Sequence, residues 1–225
     1  MLLLYHYAPM LRALFTELFD LVVPPRATER MVRQLTLEQL QSLPTEISTF
    51  QPEGLLPYHD PRVQALVWEL KYHGTAGARA LAGAHLADTL LAVAAEELGT
   101  PLLVPVPMHK ARRRERGHNQ TELLCEAALF ALRSSQSEVG PSVFEYAPNA
   151  LQRIVDTKTQ QGLPRAERLT NVKHSMQVVY PELVEGRVCI VVDDVTTTGA
   201  TLAEAKRALR AAGARTVHTV ALARS

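Results

Sequence analysis

Two cysteines, one tryptophan and 5% aromatic residues are all that 225 positions hold, and 24 basic side chains meet 23 acidic ones. Each scarcity excludes something. Cys125 and Cys189 are too few and too far apart in sequence for a disulfide framework or a four-thiolate zinc site, and read as small buried hydrophobes of a reducing compartment. A net charge of +1 argues against an all-over polyanion-binding surface, so any basic site must be local. No run reaches about 18 uninterrupted apolar residues. The opening MLLLYHYAPM carries no basic n-region, so no membrane span or signal peptide is expected and the chain reads as cytoplasmic. What is plentiful is aliphatic material: 47% of the residues are apolar, enough for a buried core and too much for a disordered chain.

At about 100–200 residues per domain, the length suggests one domain with an appendage. The expected division is a helical N-terminal arm, 1–54, and a core domain, 55–225, with the border in the proline- and glycine-bearing stretch 44–60. In the arm, Leu11, Leu14, Phe15, Leu18 and Phe19 repeat at helical spacing until Pro24 and Pro25. A short second helix is predicted from Thr36, with Gln39 completing a capping box. The core opens on Asp60 as N-cap and Pro61 at the first helical position, with Val63, Leu66, Val67 and Leu70 on one face and Gly74 as the stop. An alanine-rich helix over 78–98 precedes LLVPVP, a buried strand running into a loop. Asn119, with Glu122 three residues on, caps a helix through Leu132, and the basic cluster KARRRERG stands just before it. The stretch 134–180 is polar and reads as irregular.

The last 40 or so residues are the most legible. VCIVV, 188–192, has the continuous apolar character of a central parallel strand buried on both faces. DDVTTTGAT, 193–201, joins it to a helix with Leu202, Ala205, Leu209 and Ala212 on one face, and TVHTVALA, 216–223, is the next strand. Strand, helix, strand is a right-handed βαβ unit, whose ligands bind beyond the carboxyl ends of the strands. Adjacent carboxylates there are costly to desolvate unless they meet hydroxyl donors or a cation. Three threonines and Gly199 follow, at a helix N-terminus whose free N–H groups favour an anion. Diol-binding acids beside a phosphate cradle describe a pocket for a ribose 5-phosphate.

Strand plus DDVTTTGAT resembles the phosphoribosyl pyrophosphate loop of type I phosphoribosyltransferases, with Thr196 in a slot that is more often apolar. Lys71-Tyr72, VPVP at 104–107, the run 113–120 ending in RGHNQ, TKTQQGL at 157–163, and Arg165, Arg168 and Asn171 narrow the resemblance to the ComF family, competence-associated phosphoribosyltransferase-like proteins. It covers about 55–225 in order. The resemblance implies an α/β fold of the type I phosphoribosyltransferase class, a central mainly parallel sheet flanked by helices. Asp193 and Asp194 would hold the ribose hydroxyls and Mg2+, and Thr197, Thr198, Gly199, Ala200 and Thr201 the 5-phosphate. Pro105, Val106, Pro107, Met108, His109 and Lys110 would form the pyrophosphate loop, in which Val106–Pro107 is expected cis. Arg112, Arg113, Arg114 and Arg116 would form a basic wall, and a lid over 153–171 would carry Gln160, Arg165, Arg168 and Asn171. Lys71 either meets the ligand or favours a helix C-terminus. His118 stands where the family usually has an aromatic, so packing is its expected role.

The implied activity is phosphoribosyl transfer from phosphoribosyl pyrophosphate to an unidentified acceptor, with pyrophosphate released and no protein nucleophile. The alternative is a non-enzymatic protein that binds the same ligand, or a partner of the DNA-uptake machinery. Single-stranded DNA is a less favoured partner, because aromatics are not interleaved with the basic cluster. Family members usually carry a cysteine-rich zinc segment in the arm; here Ala27, Thr28 and Met31 stand among the thiolate positions. No zinc site is expected, and apolar helix packing is expected to hold the arm.

Overall fold

The structure, a computed structural model, describes residues 24–48, 51–135, 142–155 and 173–225. The expected helix around Leu11 to Phe19 and the lid positions Gln160, Arg165, Arg168 and Asn171 lie outside these. Two short helices come first, α1 (Ala27–Gln34) and α2 (Leu37–Gln41). The capping box of α2 is complete: Thr36 Oγ1 accepts from the Gln39 N–H at 3.2 Å, and Gln39 Oε1 accepts from the Thr36 N–H at 3.0 Å. Strands β1 (Glu46–Ser48) and β2 (Gln51–Pro57) occupy the stretch read as a border. Helix α3 (Pro61–Tyr72) starts as predicted, with Asp60 accepting from the Arg62 N–H at 2.8 Å, and Gly74 follows its end at φ +56°.

Helix α4 (Ala76–Ala95), strand β3 (Leu102–Pro105), and helices α5 (Lys110–Arg116) and α6 (Gln120–Ser135) come next. The stretch expected to be irregular holds β4 (Glu145–Tyr146), β5 (Leu151–Arg153) and β6 (Met176–Val178). Strands of two or three residues are too short for alternation to show in a sequence. Helix α7 (Pro181–Val184), strand β7 (Val188–Thr196), helix α8 (Ala200–Ala211) and strand β8 (Thr216–Arg224) complete the chain.

Among the described residues one sheet has the order β1-β2-β8-β7-β3-β4, parallel throughout except for β1, which pairs antiparallel with β2 at the edge. A separate antiparallel pair, β5–β6, lies apart from it. The architecture is the α/β, mainly parallel sheet flanked by helices that the sequence implied. Alternation along the central strands feeds two cores. Leu103, Ile190 and Val192 join α3, α4 and α6 on one side, while Leu102, Val104, Cys189 and Val191 join α8 and the β5–β6 pair on the other. Both cysteines are buried thiols, and burial pushes Cys189 up to about 11, far from a reactive thiolate at neutral pH.

The described part of the arm is held differently from expectation. Val32, Leu40 and Leu43 do join the core, but a polar clamp accompanies them. Glu69 on α3 has no exposed surface, and it accepts from Arg26 at 2.9 and 3.3 Å and from Thr28 Oγ1 at 2.6 Å. Packing alone is therefore corrected to packing plus a charged anchor, because a buried carboxylate on α3 must be paired. Thr28, at an expected thiolate position, is one of its partners.

Candidate functional site

Strand β7 runs four residues beyond the apolar run that announced it. Asp193, Val195 and Thr196 stay in register with Ala221, Ala223 and Arg224 of β8, so the loop proper shrinks to residues 197–199. Sequence reasoning ended the strand at the first carboxylate, where burial becomes costly. The structure buries the acidic pair regardless, leaving Asp193 7% and Asp194 4% exposed. Compensation comes from close range. Lys71 Nζ, from the last turn of α3, lies 3.2 Å from Asp194 Oδ2, and Asp193 Oδ1 accepts from the Asp194 N–H at 2.9 Å.

These contacts set the charges. Desolvation works against the Lys71 ammonium, but the charge of Asp194 and the hydrogen bond to it outweigh burial and leave Lys71 raised. Asp193 is pushed well above the usual carboxylate range, first by burial and then by the neighbouring charge of Asp194. Asp193 is thus held toward its neutral acid, and a hydroxyl donor or a cation arriving at the pair would favour its charged form. Helix α8 begins directly beyond it, with Gly199 in the left-handed region at φ +76° and Thr198 Oγ1 accepting from the Ala200 N–H at 3.4 Å. This is the strand–turn–helix the motif requires.

Opposite stands the segment after β3. Pro105 still pairs with Val192, and Lys110 already opens α5, so the irregular part of the expected loop is Val106, Pro107, Met108 and His109. All peptide bonds among the described residues are trans, which corrects the cis expectation at Val106–Pro107. The RGHNQ run explains why this segment is fixed. Asn119 Nδ2 and Thr121 Oγ1 both donate to the Val106 carbonyl, at 3.2 and 2.7 Å, while the Val106 N–H reaches Val192 O at 2.8 Å. Asn119 Oδ1 also accepts from the Thr121 N–H at 3.2 Å, capping α6 as expected. His118 Nε2 sits 3.0 Å from the Leu70 carbonyl, tying the end of α3 to the same motif and giving that imidazole its packing role. His109 Nδ1 accepts from the Ala111 N–H at 3.3 Å and so caps α5.

One cleft of about 240 Å3 opens between these parts. It brings together Asp193, Asp194 and Thr201 from one side and Val106, Pro107, Met108 and His109 from the other, with Arg112 and Arg116 from α5. The basic wall does not act as a unit. Arg113 is tied to Glu122 at 2.6 and 2.8 Å and, with Lys110, faces a neighbouring hollow, while Arg114 is exposed. A seven-residue helix turns its arginines in different directions, which a run read only as a basic cluster could not reveal. Thr197, Thr198, Gly199 and Ala200 form the turn and first helical position leading to Thr201.

Several lining residues escaped the sequence reading as site residues: Tyr58, Trp68 and Tyr72, together with Asn119, Gln120, Thr121 and Arg153. Lys71, in the last turn of α3, lines the cleft and pairs with Asp194, a position that serves the helix C-terminus as well. A signal for Trp68 and Tyr72 did exist, namely two large aromatics four apart on a helix whose apolar face is made by Val63, Leu66 and Leu70.

Residues 149–225 match the model of the phosphoribosyl transferase domain. The chain is 32% identical over 171 residues to DNA utilization protein YhgH of Salmonella typhi, covering 74% of this chain and 69% of that one. It is 34% identical over 125 residues to Competence protein F of Haemophilus influenzae, covering 55% and 50%. Among solved structures it is similar to the glutamine phosphoribosylpyrophosphate amidotransferase of B. subtilis complexed with ADP and GMP, with a TM-score of 0.40 and 19% identity over 69% of this chain and 30% of that chain.

Proposed function

This chain belongs to the ComF family of phosphoribosyltransferase-like proteins, and from that premise we propose that its cleft binds phosphoribosyl pyrophosphate with Mg2+ and transfers the phosphoribosyl group to an acceptor, releasing pyrophosphate. The observation that carries this reading is charge separation across one cleft: the buried Asp193–Asp194 pair with Lys71 on one side, Arg112 and Arg116 on the other. A ligand with a diol at one part and phosphates at two others fits that division. The ribose hydroxyls donate to Asp193 and Asp194, favouring the charged form that burial opposes at Asp193. The 5-phosphate takes the N–H groups and hydroxyls of Thr197 to Thr201 at the start of α8. Arg112 and Arg116 face the pyrophosphate.

The donor set suits Mg2+, which keeps several waters and is held by one or two carboxylates plus substrate phosphates. Asp193 and Asp194 would hold it, and when bound it neutralises charge on the departing pyrophosphate. The protein's own part is electrostatic: fixed carboxylates beneath a ribose ring that gains positive character, and guanidiniums beside a leaving group that gains negative charge. The names of the relatives, DNA utilization and competence, support a role alongside DNA uptake.

Calorimetric titration of the full chain with phosphoribosyl pyrophosphate and Mg2+ tests the reading. Asp193→Asn with Asp194→Asn should weaken binding about tenfold or more, the scale of lost charge-assisted hydrogen bonds, while the circular dichroism spectrum is kept. Unchanged affinity would remove the ribose assignment.

A further inference from the structure

Helix α6 keeps Leu124, Ala128 and Leu132 in the core and turns a different line of residues to solvent. On that line Glu126, Phe130 and Arg133 are all exposed, Phe130 over 73% of its surface. Spacings of four and three residues put them on one face of the helix. A lone exposed apolar side chain is ordinary. The charges that bracket this one set it apart, because among the described residues neither Glu126 nor Arg133 has a hydrogen-bond or ion-pair partner.

The helix itself cannot satisfy them. Pairing along a helix needs a separation of three or four residues, and within α6 the positions at that distance from Arg133 are Leu129 and Phe130. From Glu126 they are Glu122, Leu123, Leu129 and Phe130, and Glu122 is an acid already held by Arg113. Glu126 and Arg133 thus stand about 10.5 Å apart along the axis, with the ring between them. A two-fold axis passing between residues 129 and 130 turns this arrangement onto itself. In an antiparallel pair of α6 helices about that axis, Glu126 of each copy meets Arg133 of the other, and the two Phe130 rings meet at the centre.

We propose that this face of α6 is a docking surface for a second copy of the chain, joined across a two-fold axis at Phe130. Charge complementarity singles out that occupant. A foreign partner has to carry the base–ring–acid pattern by coincidence, whereas an identical chain rotated by half a turn carries it already. A lipid surface would have to take the Glu126 carboxylate along with the ring. The support beneath is rigid: a Cβ on Gly83 of α4 would lie 2.5 Å from Ala127 Cβ, so α4 and α6 are pressed into one two-helix layer. With helices about 10 Å wide and the 16 residues of α6 about 24 Å long, that layer offers roughly 500 Å2 per copy. Standard interfaces use about 800 Å2 per partner, so the dimer is a reversible one, with a dissociation constant on the order of 10–100 μM. It does not depend on what the cleft binds.

Sedimentation equilibrium of the full chain from about 1 μM to about 1 mM reads the association directly. The average mass should climb from one chain toward two across that range. Phe130→Ala removes both rings of the symmetric pair and should weaken dimerisation about tenfold or more. Glu126→Arg and Arg133→Glu should each weaken it about fivefold or more, because every change enters the interface twice. All three side chains are exposed, so the circular dichroism spectrum should be kept. The decisive arm is an equimolar mixture of the two charge-reversed chains. One then presents only cations at these positions and the other only carboxylates, so acid meets base at both contacts and dimerisation should return to within about threefold of wild type.

Recovery in the mixture, together with loss in Phe130→Ala, would support the pairing. A monomer mass maintained up to about 1 mM would overturn it. So would a dimer that neither Phe130→Ala nor the charge reversals loosen, since the chain would then associate through another face. Reversals that each weaken the dimer without recovery in the mixture would refute the antiparallel two-fold register, and the proposal with it.

Discussion

Removing the guanidinium that anchors the arm is the sharpest test of how this fold stays assembled. Glu69 has no exposed surface and takes two hydrogen bonds from Arg26 and one from Thr28. Stripping a partner from a fully buried ion pair costs about 3–5 kcal/mol. Arg26 is 44% exposed, so water screens the pair, and Thr28 still holds the carboxylate; the expected loss for Arg26→Met is discounted to about 2–3 kcal/mol at pH 7. Met keeps much of the aliphatic stem, so the change isolates the charge. For a chain of this size that corresponds to a melting point lower by about 4–12 °C.

The pH dependence distinguishes this mechanism from lost packing. Burial pushes Glu69 up, but Arg26 and Thr28 outweigh it and hold the carboxyl below its ordinary value. Its contribution is therefore present above the unfolded pKa and lost as pH falls through the lower folded one. In the variant, burial is opposed only by Thr28 and the weaker effect of His73, so the folded pKa rises and stability is lost as pH rises through it. The gap between wild type and variant should shrink by about half or more from pH 7 to pH 4. Urea denaturation of the full chain at both pH values measures it. An equal gap at the two, or a loss under about 0.5 kcal/mol at pH 7, would refute the buried-anchor account. Arg26→Met with Glu69→Leu should recover most of the loss, because the unpaired charge is gone.

Two further outcomes are expected. A Cβ placed on Gly83 of α4 would lie 2.5 Å from Ala127 Cβ and 2.6 Å from its carbonyl carbon on α6, so Gly83→Ala must push the two helices apart. It should cost about 1–3 kcal/mol despite the better helix propensity of alanine, and a gain in melting temperature would contradict it. Asn119→Ala removes both the cap of α6 and one of two side-chain bonds to the Val106 carbonyl. About 1–2 kcal/mol should be lost in denaturation, with weaker phosphoribosyl pyrophosphate binding in calorimetry; full affinity would detach the loop from this motif.

What the sequence announced it announced through local chemistry. Asp60 with Pro61, Thr36 with Gln39, and the VCIVV run each carry their own structural instruction, and each led to the element observed. The βαβ unit followed from the same logic, although its helix opens at Ala200, inside the stretch 193–201 read as loop. Long-range partners were illegible. Nothing near Glu69 in sequence names Arg26, 43 positions away, and nothing near Asp194 names Lys71. Direction was hidden as well: KARRRER looks uniformly basic, yet its helix sends Arg112 and Arg116 to the cleft and Arg113 to Glu122. The short strands β4, β5 and β6 are made by pairing, which no window of two or three residues can express.

The acidic pair lies inside the β7–β8 ladder, and this makes the site a check on the sheet's own assembly. Side chains alternate along a strand, so a slip of one residue turns each one to the opposite face. In a slipped sheet Asp194 would leave the ammonium of Lys71 while remaining in the interior, and an unpaired buried carboxylate is among the largest penalties a core can carry. A plain apolar strand such as VCIVV tolerates misalignment because valine and isoleucine are at home on either side. The two carboxylates at its end are not, so the residues read here as holding the sugar also select the alignment in which β7 can fold.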